Sequence, residues 1–182
     1  MRKSVRYTAL LLAVALAGLY PAHRVMATPG NSGFKGTTLI KATFDEFSVF
    51  NSLVIPASDT DGKASVWLSS QKTKGRSDVY IQTNTWDPGG STGWHTHPGH
   101  SLIIITQGTI TEYDGDDPTC SPHTYTGTLA NPATLVDPGG DHVHLIRNEG
   151  DVQVKGYAIQ IVPANAQRRI DAEQPAACAG LL

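Results

Sequence analysis

The sequence predicts an all-β domain, and three observations carry that prediction. Between residues 37 and 163, short runs rich in Val, Ile, Thr and Tyr are cut about every 8 to 12 residues by Gly, Pro, Asn or Asp, as in a sandwich or barrel. Apolar and polar residues alternate within the runs at 64–70 (ASVWLSS) and 78–86 (DVYIQTNTW), so each run has one face to bury. No internal repeat of fixed period is visible, and a chain of 182 residues defaults to one domain.

The remaining elements follow in order. Residues 101–106 (SLIIIT), Gln107-Gly108 and 109–113 (TITEY) predict a tight hairpin, with Gly108 supplying a positive φ at its turn. Residues 142–147 (HVHLIR) and 152–162 (VQVKGYAIQIV) predict two strands joined by the turn cluster Asn148-Glu149-Gly150-Asp151. The stretch 43–50 (TFDEFSVF) fits helix or strand equally. Residues 164–179, rich in Ala, Gln and Arg, suit a helix packed on the outside. The organisation expected is a leader at 1–27, a flexible lead-in at 28–36, the β domain at 37–163 and a C-terminal tail at 164–182.

The leader has the form of a secretory signal peptide. Arg2, Lys3 and Arg6 make a positive start, an uncharged run of 13 residues (8–20) follows, and Val25-Met26-Ala27 puts small residues at the cleavage position. A membrane anchor is the alternative, but the run is shorter than the roughly 18 to 20 residues a transmembrane helix needs. Cleavage after Ala27 would remove Arg2, Lys3, Arg6 and Arg24 from the 14 basic residues and none of the 16 acids, moving the net charge from −2 to −6. An acidic domain has no electrostatic reason to bind nucleic acid. A hydrophobic content of 40% with so small a net charge also excludes intrinsic disorder. The expected location is secreted or periplasmic, with no stable membrane insertion after cleavage.

Export changes how the two cysteines are read. Neither Cys120 nor Cys178 lies in a metal-ligand spacing. In an oxidising compartment they would pair, tying the tail to the domain across 57 intervening residues; such a bridge contributes roughly 3 to 4 kcal/mol in the chain-entropy model. Two buried free thiols are the alternative.

The histidines carry the chemistry. Of seven, three stand at 95, 97 and 100 and two at 142 and 144. In a strand, residues i and i+2 project from one face, so His95 and His97 can aim two imidazoles at one point. His144, from a distant strand, could complete a facial set of three of the kind borderline and transition metals take.

Their setting is Gly89-x5-His95-x-His97-x3-Ser101-x6-Gly108, followed by Pro138-x-Gly140-x3-His144-x3-Asn148. This resembles the two motifs of the cupin superfamily, G-x5-H-x-H-x3/4-E-x6-G and G-x5-P-x-G-x2-H-x3-N, over roughly residues 85–162. Gly89, His95, His97 and Gly108 fall at the family's spacing, as do Pro138, Gly140 and Asn148. His144 is one residue late relative to Gly140 but correctly spaced from Asn148. The resemblance implies a double-stranded β-helix, a small jelly-roll barrel, with one divalent transition metal (Fe, Mn, Ni or Zn) in its mouth and His95, His97 and His144 as ligands.

Two departures matter. The family's glutamate position is Ser101 here, so a three-His-one-Glu site cannot form as written, and a three-His site remains. Such a site leaves the ion its full charge and makes it a stronger binder of oxygen ligands. His100 is out of phase with His95 and His97 unless Pro98-Gly99 introduces a bulge. His142 lies two residues before His144 and competes with it for the third position, or holds a ligand's tautomer from behind. The alternative for the whole set is a jelly roll whose metal site has decayed, its imidazoles hydrogen-bonded inside the barrel.

Weaker constellations give way to plainer readings. Gly99-His100-Ser101 is not the strand-to-helix elbow of a hydrolase. Asp114-Gly115-Asp116-Asp117 lacks the Glu of a calcium loop, since Tyr125 stands there, and reads as a hairpin loop, as does Asp59-Thr60-Asp61-Gly62. Trp86 and Trp94 either line the barrel mouth or fill the core. Tyr113, Tyr125, Tyr157 and Glu112 are available for acid–base work without a positional argument for any.

The function expected from this is an exported metal-binding cupin that binds or acts on a small oxygen-rich molecule. As an enzyme it would be a dioxygenase-like oxygenase or a lyase or isomerase; the alternative is a non-catalytic binding or sensing module. A small-molecule ligand is the expected partner, and a homodimer is left open.

Overall fold

The computed structural model describes residues 31–57, 62 and 65–181; the signal peptide expected at 1–27 and the loop residues Asp59, Thr60 and Asp61 lie outside them. The described residues form ten strands: β1 (Ser32–Phe44), β2 (Ser48–Ile55), β3 (Ser65–Lys72), β4 (Ser77–Ser91), β5 (His95–Thr96), β6 (Ser101–Asp114), β7 (Pro122–Asp137), β8 (His144–Arg147), β9 (Val154–Pro163) and β10 (Ile170–Asp171). Strands β2 and β3 pair only with each other. The others join in one sheet, in the order β1-β4-β9-β6-β8-β5-β10, with β7 along β6.

That sheet folds over on itself into a double-stranded β-helix. The first half of β6 pairs with β9 and its second half with β8, while β7 follows it throughout. One layer is therefore β1-β4-β9 with the near half of β6, and the other is the far half of β6 with β8-β5-β10. Ser91 of β4 pairs with Arg147 of β8 and closes one end. The bend falls at Gly108, whose φ of 82° only glycine adopts without strain, opposite its register partner Gly127. A Cβ on Gly127 would stand 2.0 Å from the carbonyl oxygen of Ile105, so the two strands turn the corner in backbone contact.

Gly108 is thus the corner of one 14-residue strand and not the turn of the expected hairpin. Both halves find partners on other strands, and that pairing outweighs the local turn signal. Residues 32–36 of the expected flexible lead-in are strand, because β1 pairs with β4 from Ser32 to Phe44. The ambiguous 43–50 stretch is the end of β1 and the start of β2, with the Phe44 and Phe47 rings edge-on at 6.3 Å.

The main core lies between the layers, where Trp86, Ile105, Ile110, Leu135, Ile146 and Val154 pack together. A second cluster joins Trp94, Tyr113 and Leu145 to Cys178. Both tryptophans are core residues, and Trp86 also reaches the cavity described below. Cys120 and Cys178 form a disulfide, as export predicts.

The tail is not the expected outer helix. Asn165 takes a left-handed φ of 64°, its N–H donates to Asp78, β10 pairs with β5, and only a single 3-10 turn (Ala176–Cys178) precedes the end. A helix would break the β10 pairing and pull Cys178 from its partner. Asp114-Gly115-Asp116-Asp117 begins the expected hairpin loop, which joins the antiparallel strands β6 and β7, and the Asp117 carboxylate accepts the N–H groups of Thr119 and Ser121 within it.

Candidate metal centre

The barrel mouth is built where β5, β8 and β10 meet. His95 is the register partner of His144 on β8 and of Asp171 on β10. Two residues on, His97 projects the same way, as the period of an extended chain requires. The ligand-capable nitrogens of His95, His97 and His144 all lie within 4.8 Å of one another. His95 and His144 are 4% and 1% exposed.

Hydrogen bonds fix the proton on two of the three rings, and the surrounding charge argues for its place on the third. His95 Nδ1 lies 2.9 Å from the Gly93 carbonyl and His97 Nδ1 lies 2.7 Å from the Arg168 carbonyl. A carbonyl only accepts, so both Nδ1 atoms carry protons and both Nε2 atoms are lone pairs. His144 Nδ1 faces two carboxylates, Glu112 Oε1 at 3.5 Å and Asp137 Oδ1 at 3.8 Å, with no closer partner. A lone pair there would face two anions, so the proton of His144 also belongs on Nδ1.

Its Nε2 is then a lone pair 3.2 Å from that of His95. Two bare lone pairs at that distance repel unless a cation stands between them. Nitrogens bound at about 2.1 Å to one ion stand about 3.0 to 3.4 Å apart for octahedral to tetrahedral bond angles. The donor set therefore fits a divalent ion of the borderline class.

Burial lowers the proton affinity of His95 and His97. For His95 desolvation is the largest cause and His144 adds to it; for His97 desolvation again leads, opposed by the Arg168 carbonyl and by Asp137. Both shifts favour the neutral imidazole, the form that ligates a metal.

Asp137 is the functional residue the sequence did not disclose. It is fully buried and is the register partner of Ser101, the residue at the missing glutamate position. Ser101 Oγ lies 3.1 Å from Asp137 Oδ2, and that oxygen is 3.7 Å from His97 Nε2. A carboxylate thus returns to the site from the neighbouring strand. Ser101 has one proton, and Asp137 can only accept, so Ser101 donates to Asp137 and accepts from Gln160 Nε2 at 3.0 Å. That relay fixes the Gln160 amide with its Oε1 unpartnered. The only hint in the sequence was the place of Asp137 beside Pro138 in the second motif.

His142 stays close to the site, since it forms a second metal-capable group with Glu112 and His144, whereas His100 does not. His142 precedes β8 and faces Asp114 and Asp116 at 3.5 and 3.6 Å, behind His144. His100 joins no metal-capable cluster among the described residues; its carbonyl accepts the N–H of Ile161. Tyr113 donates to Glu149, Tyr125 donates to Glu112, and Tyr157 is exposed.

The three histidines open into a cavity of about 170 Å³. Its apolar wall includes Phe34, Trp86, Ile103 and Ile146, and its polar wall includes Asn84 and Gln160. Asn84 Oδ1, Gln160 Oε1 and Trp86 Nε1 are buried there without protein partners.

No family model matches the sequence, and no curated protein matches it. The structure is similar to solved cupin-type folds. These include a cupin superfamily protein from Desulfitobacterium hafniense, at 17% identity over 63% of this chain and 78% of that one (TM-score 0.38). A double-stranded β-helix protein from Klebsiella pneumoniae is 18% identical over 52% of this chain and 70% of that one (TM-score 0.41). The structure is also similar to the polyketide cyclase RemF from Streptomyces resistomycificus, at 13% identity over 85% of this chain and 82% of that one (TM-score 0.48).

Proposed function

We propose that this chain is an exported metal-binding protein of the cupin type, holding one divalent transition metal (Fe, Mn, Ni or Zn) on His95, His97 and His144. The observation that carries the reading is the convergence of three imidazoles, two of them with the outer nitrogen hydrogen-bonded to a carbonyl and the third with its outer nitrogen facing two carboxylates. The disulfide fits an oxidising compartment. The cavity in front of the histidines takes a small oxygen-rich molecule, which Asn84 and Gln160 orient and the apolar wall shields from water. When bound, the ion supplies Lewis acidity, and a redox-active ion adds electron transfer. Asp137 and Glu112 face His144 Nδ1, favour its proton there, and would offset part of the ion's charge.

None of Tyr113, Tyr125 and Tyr157 lines the cavity. That arrangement favours chemistry done at the ion, as in an oxygenase or a Lewis-acid lyase or isomerase, or a binding module without turnover. Metal analysis of the mature protein tests the reading. About one divalent ion per chain is expected, and His95→Ala with His97→Ala should remove it. Stoichiometric metal in the double variant would sink the site assignment. Oxygen uptake with bound ligand then separates the oxygenase from the binding module.

We also propose that the working form is a homodimer joined through the β2–β3 hairpin. Register partners Leu53 and Trp67 share one face of that hairpin, and Val54 and Val66 share the other; all four are exposed. A lone two-stranded hairpin is marginal in water. Edge strand β1 exposes Leu39, Ile40 and Phe44 as well. With Phe50 and Leu68 these side chains expose on the order of 1,000 Å² of apolar surface, against the roughly 800 Å² per partner of a standard interface. A second copy offers the same hairpin and the same open edge, so a two-fold contact covers both at once.

A further inference from the structure

The tail brings two arginines to the rim of the cavity, and they differ. Arg169 is committed: its Nε lies 2.7 Å from Asp171 Oδ1, and its Nη2 donates to the Thr92 carbonyl at 2.7 Å. Arg168 is half-buried, lines the cavity, and carries its guanidinium over the Tyr80 ring at 5.3 Å. No carboxylate lies within ion-pair distance of it among the described residues. Its backbone is nonetheless rigidly placed, since its carbonyl holds His97 and β10 pairs with β5 immediately after it.

A half-buried guanidinium with no counter-ion is an incomplete arrangement. Its planar fork matches a carboxylate and binds one with two parallel hydrogen bonds. Across the same cavity, Gln160 Oε1 and Asn84 Oδ1 are acceptors in need of donors. A buried acceptor without a donor keeps the cost of its desolvation uncompensated. A ligand hydroxyl supplies what they lack.

We propose that the cavity binds a small hydroxy acid, with its carboxylate on Arg168 and its hydroxyl protons on Gln160 and Asn84. The volume, about 170 Å³, is close to the roughly 150 Å³ that holds one benzene, so the acid has few carbons. This names the ligand class of the chamber assigned above and rests on that assignment, but the arginine anchor itself does not require the metal. The tail then contributes to the binding site through Arg168, and the disulfide ties its far end to the domain.

Calorimetry with three probes tests the proposal on zinc-loaded and chelator-treated protein: glycerate, its neutral amide glyceramide, and butyrate, which has the charge without the hydroxyls. Glycerate should bind at least ten-fold more tightly than either analogue in both forms. Arg168→Gln should erase the gap between glycerate and glyceramide while zinc stoichiometry and thermal midpoint stay unchanged. Gln160→Leu should narrow the gap between glycerate and butyrate, and Arg168→Lys should restore part of the charge preference. Undiminished glycerate affinity in Arg168→Gln would overturn the proposal, as would glycerate binding to neither form. Binding only to the zinc form, indifferent to Arg168→Gln, would place the carboxylate on the ion and leave only the metal reading standing. Arg168-dependent binding to a protein that takes up no zinc would do the reverse.

Discussion

Two regions of this molecule depart from the usual distribution of residues in opposite directions. At the β5–β8–β10 junction, the imidazoles of His95 and His144 and the carboxylate of Asp137 are buried and His97 is partly so; on the β2–β3 hairpin, Phe50, Leu53, Val54 and Trp67 are exposed. Buried polar groups and exposed apolar patches are the informative exceptions to ordinary burial. In the function proposed above, each region is completed from outside the chain, and the two deficits differ in kind. Lone pairs converging within a few ångströms call for one small cation. Apolar side chains spread over both faces of a thin hairpin call for a large apolar surface, where no single contact matters much and the area decides.

The comparison breaks most sharply at the hairpin. Leu53→Asp with Val54→Asp puts a charge on each face, and sedimentation should then show the protein pass from dimer to monomer. Metal content per chain should not change, because β2 and β3 pair with no strand of the site. A wild-type protein that sediments as a monomer would remove the dimer. Wild-type protein that floats with phospholipid vesicles would assign the hairpin to a membrane surface instead.

The next effect lies at the buried end of the comparison. Asp137→Asn keeps the shape but leaves an acceptor for only one of Ser101 and the Gly139 N–H, which use different carboxylate oxygens, and it removes the charge beside His97 and His144. Metal affinity, measured by chelator competition, should fall 10- to 100-fold, the usual loss when a group orienting a ligand is changed. Unchanged affinity would leave Asp137 a packing residue. Ser101→Ala, which removes only a neutral link in the relay, should cost less.

How much of this was legible in the sequence depended on the range of the interaction. The period of two that aims His95 and His97 together is local, and so is the spacing of His144 from Asn148; both were readable. The serine at the glutamate position was readable too. Asp137 was not, because its place beside Ser101 is set by the β6–β7 register, which no short motif encodes. The tail failed for a similar reason. Its composition favours helix, but the disulfide and the β10–β5 pairing are long-range constraints that override a weak local preference. At Gly108 the turn signal was real and was used as a corner. The alternation at residues 65–70 gave a strand, yet the isolation of β2–β3 from the barrel is a property of the whole sheet order.

The smallest effect expected is on the pH dependence of stability without metal. Burial holds the folded-state proton affinities of His95 and His97 below the ordinary value, while in the unfolded chain both titrate near pH 6.5. Below about pH 6.5 the unfolded state therefore binds more protons than the folded one, and stability falls as the solution is acidified. Well above that pH both states are neutral and the contribution is complete. Denaturant midpoints of chelator-treated protein should be level above about pH 7.5 and decline below about pH 6.5. His95→Gln should flatten the decline without abolishing it, since His97 still titrates. Saturating zinc should steepen it, because protons then also compete with the ion for the same Nε2 lone pairs. A metal-free midpoint that rises on acidification would mean that these rings gain protons on folding, which is incompatible with lone pairs aimed at a shared point.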